Sequence, residues 1–573
     1  MLGLRAEDGV PVGLDLRTRR LQRALAVCAA LVLGCACTAS DKPSAAEFAG
    51  GRRPNFSTVD PMTRACDLPV RYLKRISRGY DTERSEDLVL VPRAPNYMGS
   101  FVLTSHSGPW DYLQRIPLLL YGPGHVGSVG PVARRVKITD VYPTVGRLLD
   151  VDQETRSGRP LREALSIAAS PPKLVMTIVW DGVGRNTLRA WRDRWPTFRR
   201  LQRRGASYVN ATVGSSPSIT GVTHSSLGTG AFPRQHGITG NQIRTSNGTL
   251  VQAFKGRAAK DLEVSTFADQ VDVALGNEPR VGLLGWKQWH LGMLGHGADF
   301  PSGDVDDVDL LHFGPARMKS QDISGAYSSN PGLAASSDIH EHIERLDRKD
   351  GKQDGLWLGH DVTAGPGRVF WDTYSNPAWV EYQTDLVLTA LERGSYGRDA
   401  VPDLFFTNFK MSDLAGHRWG VESPETGAVL RSLDLSLGRI VEYLDEEVGD
   451  YAVVVTSDHG HSRSARSTGA WPIVQDELIG DVDRHFGARN GITVVETAVA
   501  YGLFLDRSVM RSVGISVSEI ARFLNNYTIA ENWPKAQLPV GYTQRGGEQV
   551  FSAAFPGRLL PAALRCASSE SGS

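Results

Sequence analysis

Three apolar runs of this chain each lead into groups that bind metal ions. Leu174 to Trp180 is followed by Asp181, Leu404 to Asn408 by Asp413-Leu414-Ala415-Gly416-His417, and Tyr451 to Thr456 by Ser457-Asp458-His459. Mixed aspartate and histidine sets suit Zn²⁺ or a similar divalent cation. Singly each has an ordinary explanation, because an aspartate after a strand commonly caps a helix and a lone D-x-x-x-H usually lies on a helix surface. As a set they point to a shared cation site. A fourth segment, Ser215-Ser216-Pro217-Ser218-Ile219-Thr220-Gly221-Val222-Thr223-His224, puts the Thr220 hydroxyl at the start of a short helix. Unpaired N–H groups and the helix dipole favour an anion there, and a plain Ser/Thr cap is the alternative. An unassisted alcohol is a poor nucleophile near neutral pH, so chemistry at Thr220 requires the cation.

The elements that must position these groups are legible from periodicity. The three runs, with Ile116 to Tyr121, read as buried strands of an α/β sheet. Leu430, Leu433, Leu437, Val441 and Leu444 share one face of an intervening helix. Strand, helix, strand in that order implies a parallel crossover. Ligands of open parallel sheets gather at the carboxyl ends of strands, which lets groups far apart in sequence converge. Residues 301–379 are polar, glycine-rich and weakly periodic and read as a cap or insertion. The 573 residues admit one large catalytic domain with insertions, or two to three ordinary ones. Lysine plus arginine and aspartate plus glutamate both total 63, so no bulk field draws the chain to nucleic acid or an anionic membrane, and any anion site is local.

The first 37 residues form an export signal: a basic stretch from Arg17 to Arg23, then the apolar run Ala24 to Leu33, too short to span a bilayer. Val32-Leu33-Gly34-Cys35 resembles a bacterial lipobox, whose cysteine (Cys35 here) becomes the lipidated N-terminus. The alternative is an ordinary secretory signal in which Cys35 is incidental. Residues 38–65 read as a tether, with the body starting near Cys66. The expected location is the cell envelope by a lipid anchor, otherwise the periplasm or the medium. Cys66 and Cys566, the two body cysteines, can pair in an oxidising compartment or remain free buried thiols.

Together these segments resemble the alkaline phosphatase superfamily, nearest to its nucleotide pyrophosphatase/phosphodiesterase branch and to bacterial monoesterases that use threonine. Family members place a strand-end Asp before a Thr nucleophile, then H-G-I, an Asn twenty-one residues after the Thr, a D-x-x-x-H pair and a D-H pair. Asp181, Thr220, His236-Gly237-Ile238, Asn241, Asp413/His417 and Asp458/His459 stand at those places. The resemblance implies a three-layer α/β sandwich with a mostly parallel central sheet, and two divalent ions, zinc in kind, about 3.5–4 Å apart. Asp181, Asp458, His459 and the Thr220 oxygen would hold one ion, Asp413 and His417 the other, and Asn241 would donate to a phosphoryl oxygen.

The family's last histidine ligand comes from a G-T-x-H-G-S-P-x-D-Y segment followed by a strand and D-x-x-P-T. Here the matching segment is N-terminal: Thr104-Ser105-His106-Ser107-Gly108-Pro109-Trp110-Asp111-Tyr112, then Asp140-Val141-Tyr142-Pro143-Thr144. The resemblance therefore implies a circular permutation in which His106 completes the second ion site and Cys66 comes close enough to pair with Cys566. It divides the chain into a permuted segment (66–150), a first catalytic part (171–300), the cap (301–379), the catalytic remainder (380–566) and a disordered tail (567–573).

The implied activity is phosphate ester hydrolysis through a phosphothreonine on Thr220. Phosphodiesters, nucleotide pyrophosphates and phosphonates are alternative substrates, and a catalytically silent metal-binding surface lipoprotein is the alternative of another class. The lack of C/S-x-P-x-R around Thr220 argues against a sulfatase. Lys287 resembles the lysine of the K-x-R phosphate clamp, but Trp289 stands in place of its arginine, offering a stacking face instead of a guanidinium fork. Gly122-Pro123-Gly124-His125-Val126-Gly127 fits G-x-G-x-x-G, but no helix pattern follows, so it reads as a turn. Oligomeric state is not legible.

Overall fold

The computed structural model describes residues 60–99, 102–152, 154, 156–166, 170–311, 323–363, 373–487 and 491–570. The export signal, Cys35 and nearly all of the tether lie outside them. A nine-stranded sheet organises the chain. Its strands are β1 (Leu118–Tyr121), β2 (Gly130–Lys137), β3 (Leu174–Trp180), β4 (Ala206–Thr212), β5 (Val281–Gly285), β6 (Asp306–Leu310), β7 (Tyr327–Ser328), β8 (Asp403–Phe409) and β9 (Tyr451–Thr456), in the spatial order β7-β6-β5-β8-β3-β9-β1-β4-β2. β1 runs antiparallel to both neighbours, and every other pairing is parallel.

Both faces of the sheet are covered, which is why its central strands are apolar throughout rather than alternating. Val175 and Val179 of β3, Leu118 and Leu120 of β1, and Ala452 and Val454 of β9 point into one layer. It contains helices α1 (Val141–Leu149) and α2 (Thr220–Thr229). Met176, Ile178 and Trp180, Leu119 and Tyr121, and Val453 and Val455 point into the other. There lie α3 (Ile339–Asp347), α4 (Pro377–Arg393) and α6 (Pro424–Tyr443), the last placing Leu430, Leu433, Leu437 and Val441 on the sheet. α5 (Met411–Trp419) follows β8 directly. The fold is a three-layer α/β sandwich with a mostly parallel central sheet.

A second, four-stranded antiparallel sheet has the order Val495–Val499, Gly502–Leu505, Leu88–Pro92, Phe551–Pro556. The N-terminal strand thus lies between two C-terminal ones. Leu88 and Leu90 face one core, Val89 and Val91 the other, the period-two pattern of a sheet covered on both sides. Beside the second core, Cys66 and Cys566 are disulfide-bonded across 500 residues of sequence.

Three expected boundaries shift. A helix, Pro61–Cys66, begins ahead of Cys66. Residues 567–570 continue the helix Leu560–Glu570 rather than forming a disordered tail. The polar stretch 301–379 begins with β6 and β7, so it is not wholly an insertion. Asp-Asp-Val-Asp-Leu looks like loop because its aspartates are satisfied only by other segments: half-buried Asp307 accepts from Ser328 and Tyr396, and buried Asp309 from the Asn330 amide. Gly122 to Val126 forms a turn.

Candidate active site

The reversed direction of β1 decides how the site is assembled. In the parallel strands the residues after the carboxyl end reach the site: Asp181 after β3, Lys410 and Asp413 after β8, Asp458 and His459 after β9, Lys287 and Trp289 after β5. Because β1 is antiparallel, residues ahead of its amino end reach the same edge, and they include Thr104 and His106.

Asp413 is the hub. Its Oδ1 lies 2.9 Å from His461 Nε2, 3.4 Å from His417 Nε2, 3.6 Å from His106 Nε2 and 4.0 Å from His459 Nε2. The tautomers follow from the other ring nitrogens. His106 Nδ1 faces the Ser218 carbonyl at 2.9 Å and His417 Nδ1 the Thr104 carbonyl at 2.9 Å; a carbonyl only accepts, so each Nδ1 carries the proton. Thr104 donates its hydroxyl proton to the Gly416 carbonyl and accepts from His461 Nδ1. His106 and His417 therefore turn the Nε2 lone pair toward Asp413, and His461 presents its Nε2 to the same oxygen. His106 Nε2 and His417 Nε2 stand 3.1 Å apart, lone pair to lone pair, an arrangement that suits a shared cation.

A second group joins it through His459, whose ring stacks on His106 with centroids 3.6 Å apart. His459 Nε2 is 3.2 Å from Asp458 Oδ2 and 3.7 Å from Asp181 Oδ1. Asp458 Oδ2 and both ring nitrogens of His459 are buried without a hydrogen-bond partner. Orphaned buried donors and acceptors are costly, and a divalent cation would satisfy Asp458 Oδ2 together with His459 Nε2, which lie 3.2 Å apart. The donor sets Asp181/Asp458/His459 and Asp413/His417/His461, with His106 closing on Asp413 and His459, are spaced to hold metal ions.

Thr220 opens α2 and is buried, and its Oγ1 accepts from Lys410 Nζ at 3.0 Å. The same ammonium donates to Asp181 Oδ1 at 2.9 Å and pairs with Asp413 Oδ2 at 2.6 Å. Asn408 Nδ2 holds Asp181 Oδ2 at 2.9 Å and His224 Nε2 at 2.8 Å. Glycine is required where groups crowd. Gly182, at φ +73°, would bring a Cβ to 2.7 Å from His461 Nε2, and a Cβ on Gly221 would lie 3.1 Å from Asn241 Oδ1 and 3.5 Å from the Trp289 ring. Asn241 and Trp289 thus flank the residue after Thr220. Lys287 Nζ sits 5.0 Å from the Trp289 ring centroid. His236 is a structural histidine, bonded to Ser226 and to the Ile238 amide beneath α2.

Burial sets the protonation states. It pushes His417 down to about 4 against the pull of Asp413, and takes His106 and His459 well below the ordinary imidazole value, leaving neutral rings fit to bind metal. Burial alone would raise the Asp413 carboxyl, but Lys410 and His417 hold it well below the usual carboxylate range. Asp458 moves the other way, raised by burial and by the charge of Asp181. Lys287 falls to about 8 through burial and the repulsion of Lys410.

Sequence reasoning missed Lys410, His461, Asn408 and His224. His461 had a signal, since it stands two residues beyond the D-H pair in Asp458-His459-Gly460-His461. Lys410, three residues before Asp413, had none of its own.

Residues 175–506 match the family model for type I phosphodiesterase / nucleotide pyrophosphatase. The chain belongs to that family. It is accordingly a phosphoric ester hydrolase, and Asp181, Thr220, Asn241, Asp413, His417, Asp458 and His459 all lie within the matched residues, whereas His106 lies outside them. Alkaline phosphatase PafA of Elizabethkingia meningoseptica is 22% identical over 408 residues, 62% of this chain and 73% of that protein. Alkaline phosphatase PhoK of Sphingomonas sp is 23% identical over 329 residues, covering 52% of this chain and only 56% of the relative. The crystal structure of wild type alkaline phosphatase PafA superposes with a TM-score of 0.48 at 17% identity, over 68% of this chain and 85% of that one.

Proposed function

We propose that this chain hydrolyses phosphate esters through a phosphothreonine on Thr220. The observation that carries the reading is that Lys410 Nζ reaches both Thr220 Oγ1 and Asp181 Oδ1, and that the unpartnered atoms of Asp458 and His459 lie beside Asp181 in the same cluster. Asp181, Asp458 and His459 would hold one divalent ion together with Thr220, and Asp413, His417, His106 and His461 a second, zinc suiting the mixed nitrogen and oxygen donors. When bound, such ions supply Lewis-acid stabilisation of the entering and leaving oxygens.

Thr220 Oγ1 attacks phosphorus in line, losing its proton to solvent as the new P–O bond forms and the ester P–O bond breaks. The departing oxygen takes a proton from water. Water then attacks the phosphorylated Thr220, phosphate departs from a monoester substrate or the residual monoester from a diester, and Thr220 regains its hydroxyl proton. Asn241, whose Oδ1 lies beside Gly221, would donate its Nδ2 amide to a phosphoryl oxygen.

One observation favours diesters over monoesters. Trp289, not arginine, lies against Gly221, and an indole face suits a flat ester substituent better than the extra charge of a monoester. The placement of His106 and of strand Leu88–Pro92 among C-terminal elements supports a circularly permuted family member. The leader sequence and the Cys66–Cys566 bridge support export, with Cys35 the proposed lipid anchor.

The test is bound metal measured together with hydrolysis of p-nitrophenyl phosphate and bis-p-nitrophenyl phosphate. Metal-dependent turnover, faster on the diester, is expected. Bound metal without turnover of either substrate would favour the silent surface lipoprotein instead.

A further inference from the structure

Between the two groups of ligands stands an amine. Lys410, its side chain 4% exposed, spends its donors on Asp181 Oδ1, Asp413 Oδ2 and Thr220 Oγ1. A lysine present only to neutralise carboxylates has a third carboxylate within the same cluster, Asp458, whose buried Oδ2 accepts no hydrogen bond. The third donor goes instead to the neutral hydroxyl. Among the described residues no arginine pairs with Asp181, Asp413 or Asp458, and Trp289 occupies the place where a guanidinium was expected, so the Lys410 ammonium is the cation paired with Asp181 and Asp413.

We propose that Lys410 is a catalytic residue whose ammonium holds the Thr220 oxygen by an N–H···O bond while negative charge builds on it. This rests on the phosphothreonine reading above. The bond acts twice: when the Oγ1 electron pair forms the P–O bond, and when that pair returns to oxygen as the phosphothreonine is hydrolysed. The ammonium transfers no proton. A donor already in place in a buried site needs no reorganisation during the reaction, and removing one such donor typically costs about 100- to 1,000-fold in turnover.

Three chains carry the test: wild type, Lys410→Met and Lys410→Arg. Each is dialysed against Zn²⁺ and assayed for metal per chain, unfolding temperature, turnover of bis-p-nitrophenyl phosphate, and phosphothreonine trapped by acid quench with p-nitrophenyl phosphate as the substrate of the trapping assay. The expected result for Lys410→Met is full metal, cooperative unfolding, and turnover and phosphothreonine formation both slowed about 100-fold or more. Lys410→Arg, which keeps the charge on a longer, planar head, should restore only part of the rate. The proposal is overturned if Lys410→Met with full metal turns over within about twofold of wild type, since an interaction at the reacting oxygen must show in the rate. It is equally overturned if the lost rate tracks lost metal and returns with excess Zn²⁺, or if neither variant folds, because the lysine is then an assembly residue. An active wild type with any of these outcomes defeats the lysine proposal alone. A wild type with neither turnover nor phosphothreonine defeats the proposed function, and this proposal with it.

Discussion

His106 Nε2 lies 3.1 Å from His417 Nε2, although 311 residues separate the two. Each ring is held by a backbone carbonyl on its far nitrogen, from Ser218 and Thr104, so neither can turn away. Carbonyl-anchored imidazoles of this kind orient metal ligands, and losing even the outer partner commonly costs about 10- to 100-fold in metal affinity. His106→Ala, which removes a proposed ligand itself, should weaken zinc binding by at least about 100-fold and leave roughly one tight ion per chain. Titration with a competing chelator measures this. Unchanged affinity would detach His106 from the centre.

His461 makes a parallel case. Its Nε2 is nearer Asp413 than that of any other imidazole in the cluster, at 2.9 Å, and Gly182 and Gly416 leave room for its ring. His461→Gln should lower zinc affinity with little change in unfolding temperature of the metal-free protein. A large destabilisation of the metal-free form with unaltered affinity would make it a packing residue.

The Cys66–Cys566 bridge ties the N-terminal helices to the C-terminal one and closes a loop of 500 residues. Removing a native disulfide of an exported domain typically costs about 2–5 kcal/mol. Cys566→Ser should therefore lower the unfolding temperature by several degrees, and dithiothreitol should do the same to wild type but not to the variant. Calorimetry with and without reductant checks both.

Helix α3 docks on α4 through His342, which is 3% exposed. Burial opposes its protonation, but Asp385 at 2.9 Å and Glu381 outweigh both burial and the nearby Arg345, so the imidazole value is raised, while Asp385, with His342 and Arg439 outweighing its burial, is lowered to about 2. A raised histidine stabilises fully below its unfolded value and loses that contribution as pH rises through the folded value. A lowered aspartate acts above its own unfolded value. The docking is therefore strongest between about pH 4 and 6.5 and weakens on the alkaline side. Amide exchange in residues 339–347, corrected for intrinsic rates, should quicken from pH 6 to 8 in wild type and stay flat in His342→Gln. The same rise in both proteins would sink the account.

What the sequence made legible was the set of groups whose positions follow from strand ends. Asp181, Asp413, Asp458 and His459 each stand just past an apolar run, and a parallel sheet brings such points together. Asp306–Leu310 was not legible, because its alternating aspartates imitate a loop until their partners from other segments are known. The antiparallel β1 was equally hidden: direction in a sheet comes from pairing with β9 and β4, not from Leu118–Tyr121 itself. His106 was reached through motif resemblance rather than through strand geometry. Lys410 escaped because a lysine beside an aspartate on a helix is ordinarily solvated, and only the fold buries this one.

The nucleophile decides the whole account. Thr220→Ala removes one hydroxyl from a buried helix start and leaves every aspartate and histidine of the cluster in place. Turnover of bis-p-nitrophenyl phosphate should fall to background while zinc per chain stays at the wild-type value. An alanine variant that still turns over substrate at the wild-type rate would contradict the mechanism at its root.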